Sequence, residues 1–500
     1  MTAEVTPRRT ADADPGLGGL VDAVLIPPFG GFQAPPWILE ALKDGLTGVT
    51  LFGTNVESPA QLADLTGTLR AAVADTVIAI DEEGGDVTRV AHRLGSPYPG
   101  NAALGAIDDV DLTEAVYAAL GADLAALGVS LNLAPSVDVN TAADNPVIGT
   151  RSFGADTALV ARHAAKAVTG LQSAGVAACA KHFPGHGSTQ LDSHHELAIV
   201  DASADLLARR DLPPFVAAIE AGVRAIMPGH LRLPELTGDL PASLSPAALT
   251  GLLRGELGFT GVIVSDGLEM RAVSDVYGIP GAAVMAVLAG TDLLCLGRDT
   301  DEQMYLDVRL ALMGAVRSGR MPVRRLEEAA ARVAELRAWT AAAAGPAGRP
   351  GRAEIGLAAA RRAVRIDGAP RPLHRPFVVE VVPPANIAVG SVPWGLGSWV
   401  SADSLRRIST GAPAEEVTAS IAALLADATA RSLVIVIRDA HRYPAAADAV
   451  SRILTARPDS VVVEMGLPVW RPPAGLYLAT FGASRTSSRA AAEVLGLAAP

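Results

Sequence analysis

Thr76-Val77-Ile78-Ala79-Ile80-Asp81-Glu82-Glu83-Gly84-Gly85 is an apolar run that ends abruptly in three carboxylates and two glycines. Its apolar residues are continuous, without period-two alternation, and so belong to a strand covered on both faces, as in a parallel sheet. Comparable runs lie at 21–26, 48–52, 129–134, 176–180, 223–227, 261–264 and 291–296, giving eight strand candidates with 76–80. Between most of them the apolar residues fall at helical spacing, as at 59–74, 112–127, 158–174 and 279–289. Eight buried strands alternating with helices fit a (β/α)8 barrel, and a doubly wound open sheet shares the same periodicity.

Polar residues favour the barrel. Asp81-Glu82-Glu83, Asn145-Pro146 with Arg151, Lys181-His182, Gly229-His230 and Ser265-Asp266 all follow strand candidates. They therefore gather at the carboxyl ends of the strands, the face on which barrel enzymes assemble sites from several loops, and convergence of five loops calls for closure. An Arg- and Glu-rich helix at 323–340 closes the barrel, and Ala, Gly and Pro at 341–352 read as linker. Strand candidates at 377–382, 433–437, 460–464 and 476–480 alternate with helical stretches at 414–427, 445–455 and 485–495. The expected organisation is a catalytic barrel over 1–340, a linker over 341–372 and a small α/β sandwich over 373–500.

With 500 residues, half of them apolar, the chain is long enough for two domains and a large core. A net charge of -12 with no run of Lys or Arg argues against nucleic acid or an anionic membrane surface as partner. No window holds eighteen uninterrupted apolar residues, so no membrane span is expected. Residues 1–19 carry Arg8 and Arg9 but then Asp12, Asp14 and Pro15 rather than an apolar core, so no export signal is expected. Cys179 and Cys295 sit inside apolar runs and read as small core residues, which fits a reducing cytoplasm.

Chemistry concentrates in Lys181-His182-Phe183-Pro184-Gly185-His186-Gly187-Ser188-Thr189-Gln190-Leu191-Asp192-Ser193-His194-His195. Lysine is otherwise found only at Lys43 and Lys166, so a lysine here stands out. Pro184, Gly185 and Gly187 exclude a regular helix, so His182 and His186 are not the paired histidines of a zinc helix, and no metal is expected. Asp192 and His194, two apart, share one side of an extended segment, where a carboxylate can orient an imidazole for general acid/base work. The same pair also suits a solvated loop whose Asp caps a turn. Asp266 likewise reads two ways, as a nucleophile at a strand end or as a cap for the next turn.

Taken together, 49–52 with Asn55, Asp81-Glu82-Glu83-Gly84-Gly85, residues 145–154, the 181–194 run and Ser265-Asp266-Gly267-Leu268-Glu269-Met270 resemble glycoside hydrolase family 3. The histidine-bearing loop resembles its β-N-acetylglucosaminidase branch. The resemblance spans most of 20–300 and implies a retaining double displacement. Asp266 would attack the anomeric carbon, and His194, paired with Asp192, would protonate the leaving group and then activate water. Asp81, Arg151, Lys181 and His182 would hold the nonreducing sugar, with His186 and His230 hydrogen-bonding behind them. A substrate-assisted route fits less well, because Asp266 is followed by Gly267 rather than by a second acid.

Four positions depart from the family pattern: Ser188 stands where Asp is common, Ala198 where Pro is usual, Glu82 where Gln is common, and Asp86 where a larger, often basic residue follows the glycines. The expected activity is an exo-β-N-acetylglucosaminidase acting on chito-oligosaccharides or peptidoglycan fragments, with an N-acetylglucosamine-containing oligosaccharide as partner and no cofactor. The alternatives are a phosphorylase using the same residues, a β-glucosidase with an acid such as Glu415 or Glu416 from the second domain, and a sugar-binding protein without catalysis.

Overall fold

Eight short parallel strands form a ring in the computed structural model, which describes residues 15–190, 197–343, 353–384 and 389–499. They are β1 (Leu25–Ile26), β2 (Gly48–Leu51), β3 (Val77–Ile80), β4 (Leu131–Asn132), β5 (Ala177–Phe183), β6 (Ala225–Pro228), β7 (Val262–Ile263) and β8 (Leu294–Cys295). Each lies within or overlaps one of the apolar runs. From β2 to β7 they pair in order. Backbone bonds then close the ring: Leu293 N donates to Ile263 O at 3.0 Å, Leu294 N to Val24 O at 2.8 Å, and Thr50 N to Pro27 O at 3.3 Å. Closure excludes the open sheet.

Side chains alternate across this ring, although the sequence looks uniformly apolar. Val77, Ala79, Cys179, Met227, Val262 and Cys295 point into the lumen and form one buried cluster. Ile78, Ile80, Ala178, Ala180, Ile226 and Ile263 point outward into the larger cluster shared with the helices. Because both faces are covered, each Val or Ile is removed from water whichever way it points, contributing about 1.5–3 kcal/mol. Both cysteines are buried and free.

Several of the surrounding helices start at side-chain caps. Ser58 accepts from Gln61 N, Asp109 from Leu112 N, Asp156 from Leu159 N and Asp301 from Met304 N. The helix Val323–Ala343 sends Val333 and Leu336 into the lumen cluster and plugs the ring from one end.

The interval 341–372 is more structured than a linker. Residues 344–352 lie outside the described residues, but Ala353–Ala363 is a helix packed on barrel helices Asn101–Ile107 and Val110–Ala126. Its Gly356 abuts Pro97 O so closely that a Cβ would sit 2.0 Å away. The strand Arg365–Asp367 then joins the second sheet as an antiparallel edge on Leu476–Ala479. Gly and Pro at 345–351 signalled a break, whereas the Ala- and Arg-rich stretch after them is good helix former.

In the second domain the other strands are parallel, running from Leu476–Ala479 through Val461–Glu464, Leu433–Ile437 and Phe377–Val382 to Leu405–Ser409. Helices Ala414–Asp427 and Pro444–Ala456 cover one face, and Arg485–Val494 packs on the other, so this unit is an α/β sandwich. Asp86 joins the domains. Its Oδ1 accepts from Ala483 N at 2.6 Å, and its Oδ2 accepts from Thr150 Oγ1 at 2.6 Å and pairs with Arg438 at 3.1 Å. The departure at Asp86 is thus accommodated by an arginine supplied from the second domain.

Candidate active site

A cavity of about 710 Å³ opens at the carboxyl ends of the strands, lined by Asp81, Glu83, Arg151, Lys181, His182 and Asp266 among others. Lys181, near the end of β5, points its ammonium at two carboxylates delivered by β3, with Nζ 2.6 Å from Asp81 Oδ1 and 2.8 Å from Glu83 Oε1. Arg151 grips Glu83 in a fork, donating from Nε to Oε2 at 2.9 Å and from Nη2 to Oε1 at 2.7 Å. Burial alone would push Glu83 up, but Arg151 and Lys181 outweigh it and hold the carboxyl far below its ordinary value. Burial likewise disfavours the Lys181 ammonium, and Asp81 and Glu83 more than restore it. Glu83, Lys181 and Arg151 are therefore held in their charged forms.

Asp81 is only half committed. Its Oδ1 serves Lys181, while Oδ2 has no hydrogen-bond partner among the described residues and the side chain is 19% exposed. A carboxylate oxygen facing the cavity is an acceptor for a ligand hydroxyl.

Behind this wall stands Asp138, a residue the sequence reading missed. It is fully enclosed and gathers His182 Nδ1 (2.8 Å), His186 N (2.6 Å) and Ser136 Oγ (2.9 Å). Burial would raise its pKa, but the His182 imidazole, then that of His186, and their hydrogen bonds hold it at about 2. With Nδ1 engaged there, His182 turns Nε2 toward Arg151 Nη2 at 3.3 Å. His186 stays behind the wall, against Thr189 Oγ1 at 2.7 Å, and burial plus the neighbouring His182 push its pKa down to about 4. A signal existed: after β4, Ser136-Val137-Asp138-Val139-Asn140 alternates polar and apolar residues, as a segment with one face on a site would.

Four strands round the ring from β3, the turn after β7 presents Asp266, whose Oδ1 accepts from Gly267 N at 2.8 Å. His230 steadies this turn, bridging Ser243 Oγ (2.7 Å) and Gly267 O (3.0 Å). Glu269, quoted in the motif but given no role, also lines the cavity and links β7 to β8 by accepting from Arg298 N at 2.8 Å. Its other oxygen is buried without a partner among the described residues, pressed on Gly297 where any Cβ would collide. Burial first, and the charge of Asp266 second, raise the Glu269 carboxyl to about 7.

Asp192 and His194 lie outside the described residues; of the other expected site residues, the structure brings together Asp81, Arg151, Lys181, His182 and Asp266 around the cavity. Of the departures, Ser188 accepts from Arg210 Nη2 at 2.9 Å, and Ala198 sits in a two-residue strand beside Leu231–Arg232. Glu82 points away from the cavity into its own loop, accepting from Arg89 N at 2.8 Å and Val90 N at 2.9 Å. Glu415 and Glu416 are exposed on the first turn of a second-domain helix and do not line the cavity, so neither is the acid considered for a β-glucosidase.

Residues 38–336 match the model of the glycosyl hydrolase family 3 N terminal domain. β-Hexosaminidase A of Pseudoalteromonas piscicida is 33% identical over 61% of this chain and 55% of its own length. A β-hexosaminidase of Stenotrophomonas maltophilia is 37% identical over 52% of this chain and 80% of its own. The chain thus spans little more than half of the first relative. Among solved structures, a family 3 β-N-acetylglucosaminidase from a Paenibacillus species superposes with a TM-score of 0.85 at 33% identity, covering 97% of both chains.

Proposed function

The chain belongs to glycosyl hydrolase family 3, and on that premise we propose that it is a retaining exo-β-N-acetylglucosaminidase. One observation carries the reading: a closed wall of paired charges, Asp81, Glu83, Lys181 and Arg151, faces Asp266 across a single cavity. Such a wall rejects a sugar lacking the matching hydroxyls, because its own buried polar groups would then go unpaired. It also ends the cavity, which suits removal of one nonreducing unit at a time.

In the first half-reaction a carboxylate oxygen of Asp266 bonds to the anomeric carbon as the bond to the leaving oxygen breaks. His194, oriented by Asp192, gives its proton to that oxygen. In the second, His194 takes a proton from water, the water oxygen attacks the same carbon, and the bond to Asp266 breaks. Asp138 and His182 keep Arg151 aligned on the sugar. Chito-oligosaccharides and peptidoglycan fragments are the substrates we propose, and the two buried, unpaired thiols suit action in the cytoplasm.

The test is release of 4-nitrophenol from 4-nitrophenyl N-acetyl-β-glucosaminide by the wild type, Asp266→Ala and His194→Ala. Turnover that both variants lose supports the reading. No turnover by the wild type, or full turnover by Asp266→Ala, overturns it.

A further inference from the structure

The loop that carries Arg151 is held by both domains. Within the barrel, Asn145 Oδ1 accepts from Val147 N at 2.9 Å and Ile148 N at 2.8 Å, and Asn145 Nδ2 donates to His186 O at 2.9 Å. Further contacts come from the second domain, from the turn Ala440–Arg442 that follows the strand Leu433–Ile437. Arg442 Nη2 donates to Pro146 O at 2.8 Å, and His441 Nε2 stands 2.8 Å from Ala143 O. The next carbonyl, Val147 O, accepts from Arg151 Nη1 at 3.2 Å. Neighbouring peptide oxygens are thus gripped by an arginine of the second domain and by the arginine that lines the cavity.

Arg442 is itself held in place. Its Cζ lies 5.5 Å from the centre of the Tyr443 ring, and its Nη1 lies 3.7 Å from Asp439 Oδ2. Asp439 has a left-handed backbone, with φ of 51°, which a residue other than glycine keeps only where its surroundings impose it. Those surroundings are specific. Asp439 N donates to Glu464 Oε1 at 2.9 Å, Asp439 Oδ1 accepts from Leu467 N at 2.8 Å, and a Cβ on Gly466 would fall 2.1 Å from that same oxygen. Glu464 is fully buried at the end of the neighbouring strand Val461–Glu464. Direct contacts therefore run from the sheet of the second domain through Asp439 and Arg442 to the Pro146-Val147 peptide and on to Arg151. The bridge from Arg438 through Asp86 to Thr150 reaches the same loop one residue before Arg151.

Resting on the functional reading above, we propose that Arg442 is a positioning residue for Arg151, a clamp by which the second domain fixes the loop that holds the sugar. Arg442 does not line the cavity, so its effect on the sugar passes through the loop. A loop displaced by an ångström would carry Arg151 out of its alignment, although every cavity-lining residue is still present. Arg151 grips the nonreducing sugar alike in the ground state and the transition state, so loosening it raises KM rather than lowering kcat.

Kinetics of the full-length enzyme on 4-nitrophenyl N-acetyl-β-glucosaminide, with a thermal melt of each variant, test the clamp. Arg442→Ala should raise KM about tenfold and leave kcat within about twofold, as expected for loss of one charge-assisted hydrogen bond. Arg442→Lys keeps a donor for Pro146 O and should bring KM back to within about threefold of the wild type. Arg362→Ala removes a different contact with the barrel, that of Arg362 Nη1 with Asp109 Oδ2 at 2.9 Å, away from the cavity lining, and should leave KM unchanged. The double variant separates positioning from general destabilisation. With Arg151→Lys already in place, adding Arg442→Ala should change KM by less than about twofold, because both residues act on one loop. If Arg442→Ala does not fold, Arg442→Gln, too short to reach Pro146 O, carries the same expectations. A further tenfold rise in the double variant, an equal rise in Arg362→Ala, or an unmoved KM in Arg442→Ala would each overturn the clamp and leave the glycosidase reading standing. No turnover by the wild type would overturn both.

Discussion

The two ends of the barrel both bury ion networks, and the networks are built differently. At the amino-terminal end Asp292 Oδ1 receives Arg325 at 2.8 Å and Arg332 at 3.1 Å, and its Oδ2 receives Arg254 and Ile263 N. Both oxygens are saturated by protein donors and the group is fully enclosed. At the carboxyl-terminal end Asp81 and Glu83 meet Lys181 and Arg151, but one Asp81 oxygen faces the cavity without a described partner. A saturated network has nothing left to offer a ligand. An unsaturated one keeps part of its desolvation uncompensated until a ligand arrives, so burial of charge marks function only where a donor or acceptor is left over.

Replacing one carboxylate at each end should separate the two roles most sharply. Asp292→Ala leaves three arginines around an empty seat and should cost about 3–5 kcal/mol of stability, with kcat of the folded fraction unchanged. Asp266→Asn should leave the melting temperature within about 2 °C of the wild type and lower kcat by on the order of 10³-fold or more. Thermal melts beside chromogenic kinetics check both. A stable Asp292→Ala or an active Asp266→Asn would erase the distinction between the ends.

Asp138 tests whether a saturated carboxylate at the catalytic end can still matter for rate. All of its described contacts are to protein, yet they orient His182, which in turn touches Arg151. Loss of charge-assisted hydrogen bonds worth about 1.5–3 kcal/mol should lower kcat/KM of Asp138→Asn by roughly 10- to 100-fold. The fall should lie mainly in KM if the sugar wall is what loosens. An unchanged KM would place Asp138 with Asp292, as a purely structural carboxylate.

Much of this was legible beforehand because a barrel strand announces itself twice, by an apolar run and by the polar residue that ends it. Ile80-Asp81, Ala180-Lys181 and Ser265-Asp266 all obey that rule, and the structure brings the three polar groups around one cavity. Asp138 escaped because it lies six residues beyond β4, on a segment with no strand partner of its own beyond one bridge at Ser136. Glu269 escaped because its position depends on Gly297, a residue twenty-eight places away that only the fold brings near. Helix Ala353–Ala363 escaped because the Gly and Pro before it dominate any local reading.

The smallest expected effect concerns Glu82, a buried carboxylate beside Asp81 that differs from both networks in having backbone amides rather than an ion pair as its named hydrogen-bond donors. Burial is the main force on it, only partly relieved by the amides of Val90 and Arg89, and its pKa rises to about 7 from an ordinary 4.5. Between those values the folded protein holds a proton that the unfolded chain has released. Stability associated with the protonated form is therefore complete below about pH 4.5 and is lost as pH rises through about 7. Glutamine keeps an oxygen to accept from the amides of Arg89 and Val90 but cannot ionise. Glu82→Gln should match the wild type at pH 4.5 and exceed it at pH 8 by on the order of 1–3 kcal/mol, with kcat/KM on the chromogenic substrate unaltered because Glu82 lies off the cavity. Urea melts at the two pH values measure the difference. Equal stability at both would mean that Glu82 ionises in place as readily as a saturated carboxylate, and that an unsaturated buried charge at this end carries no cost.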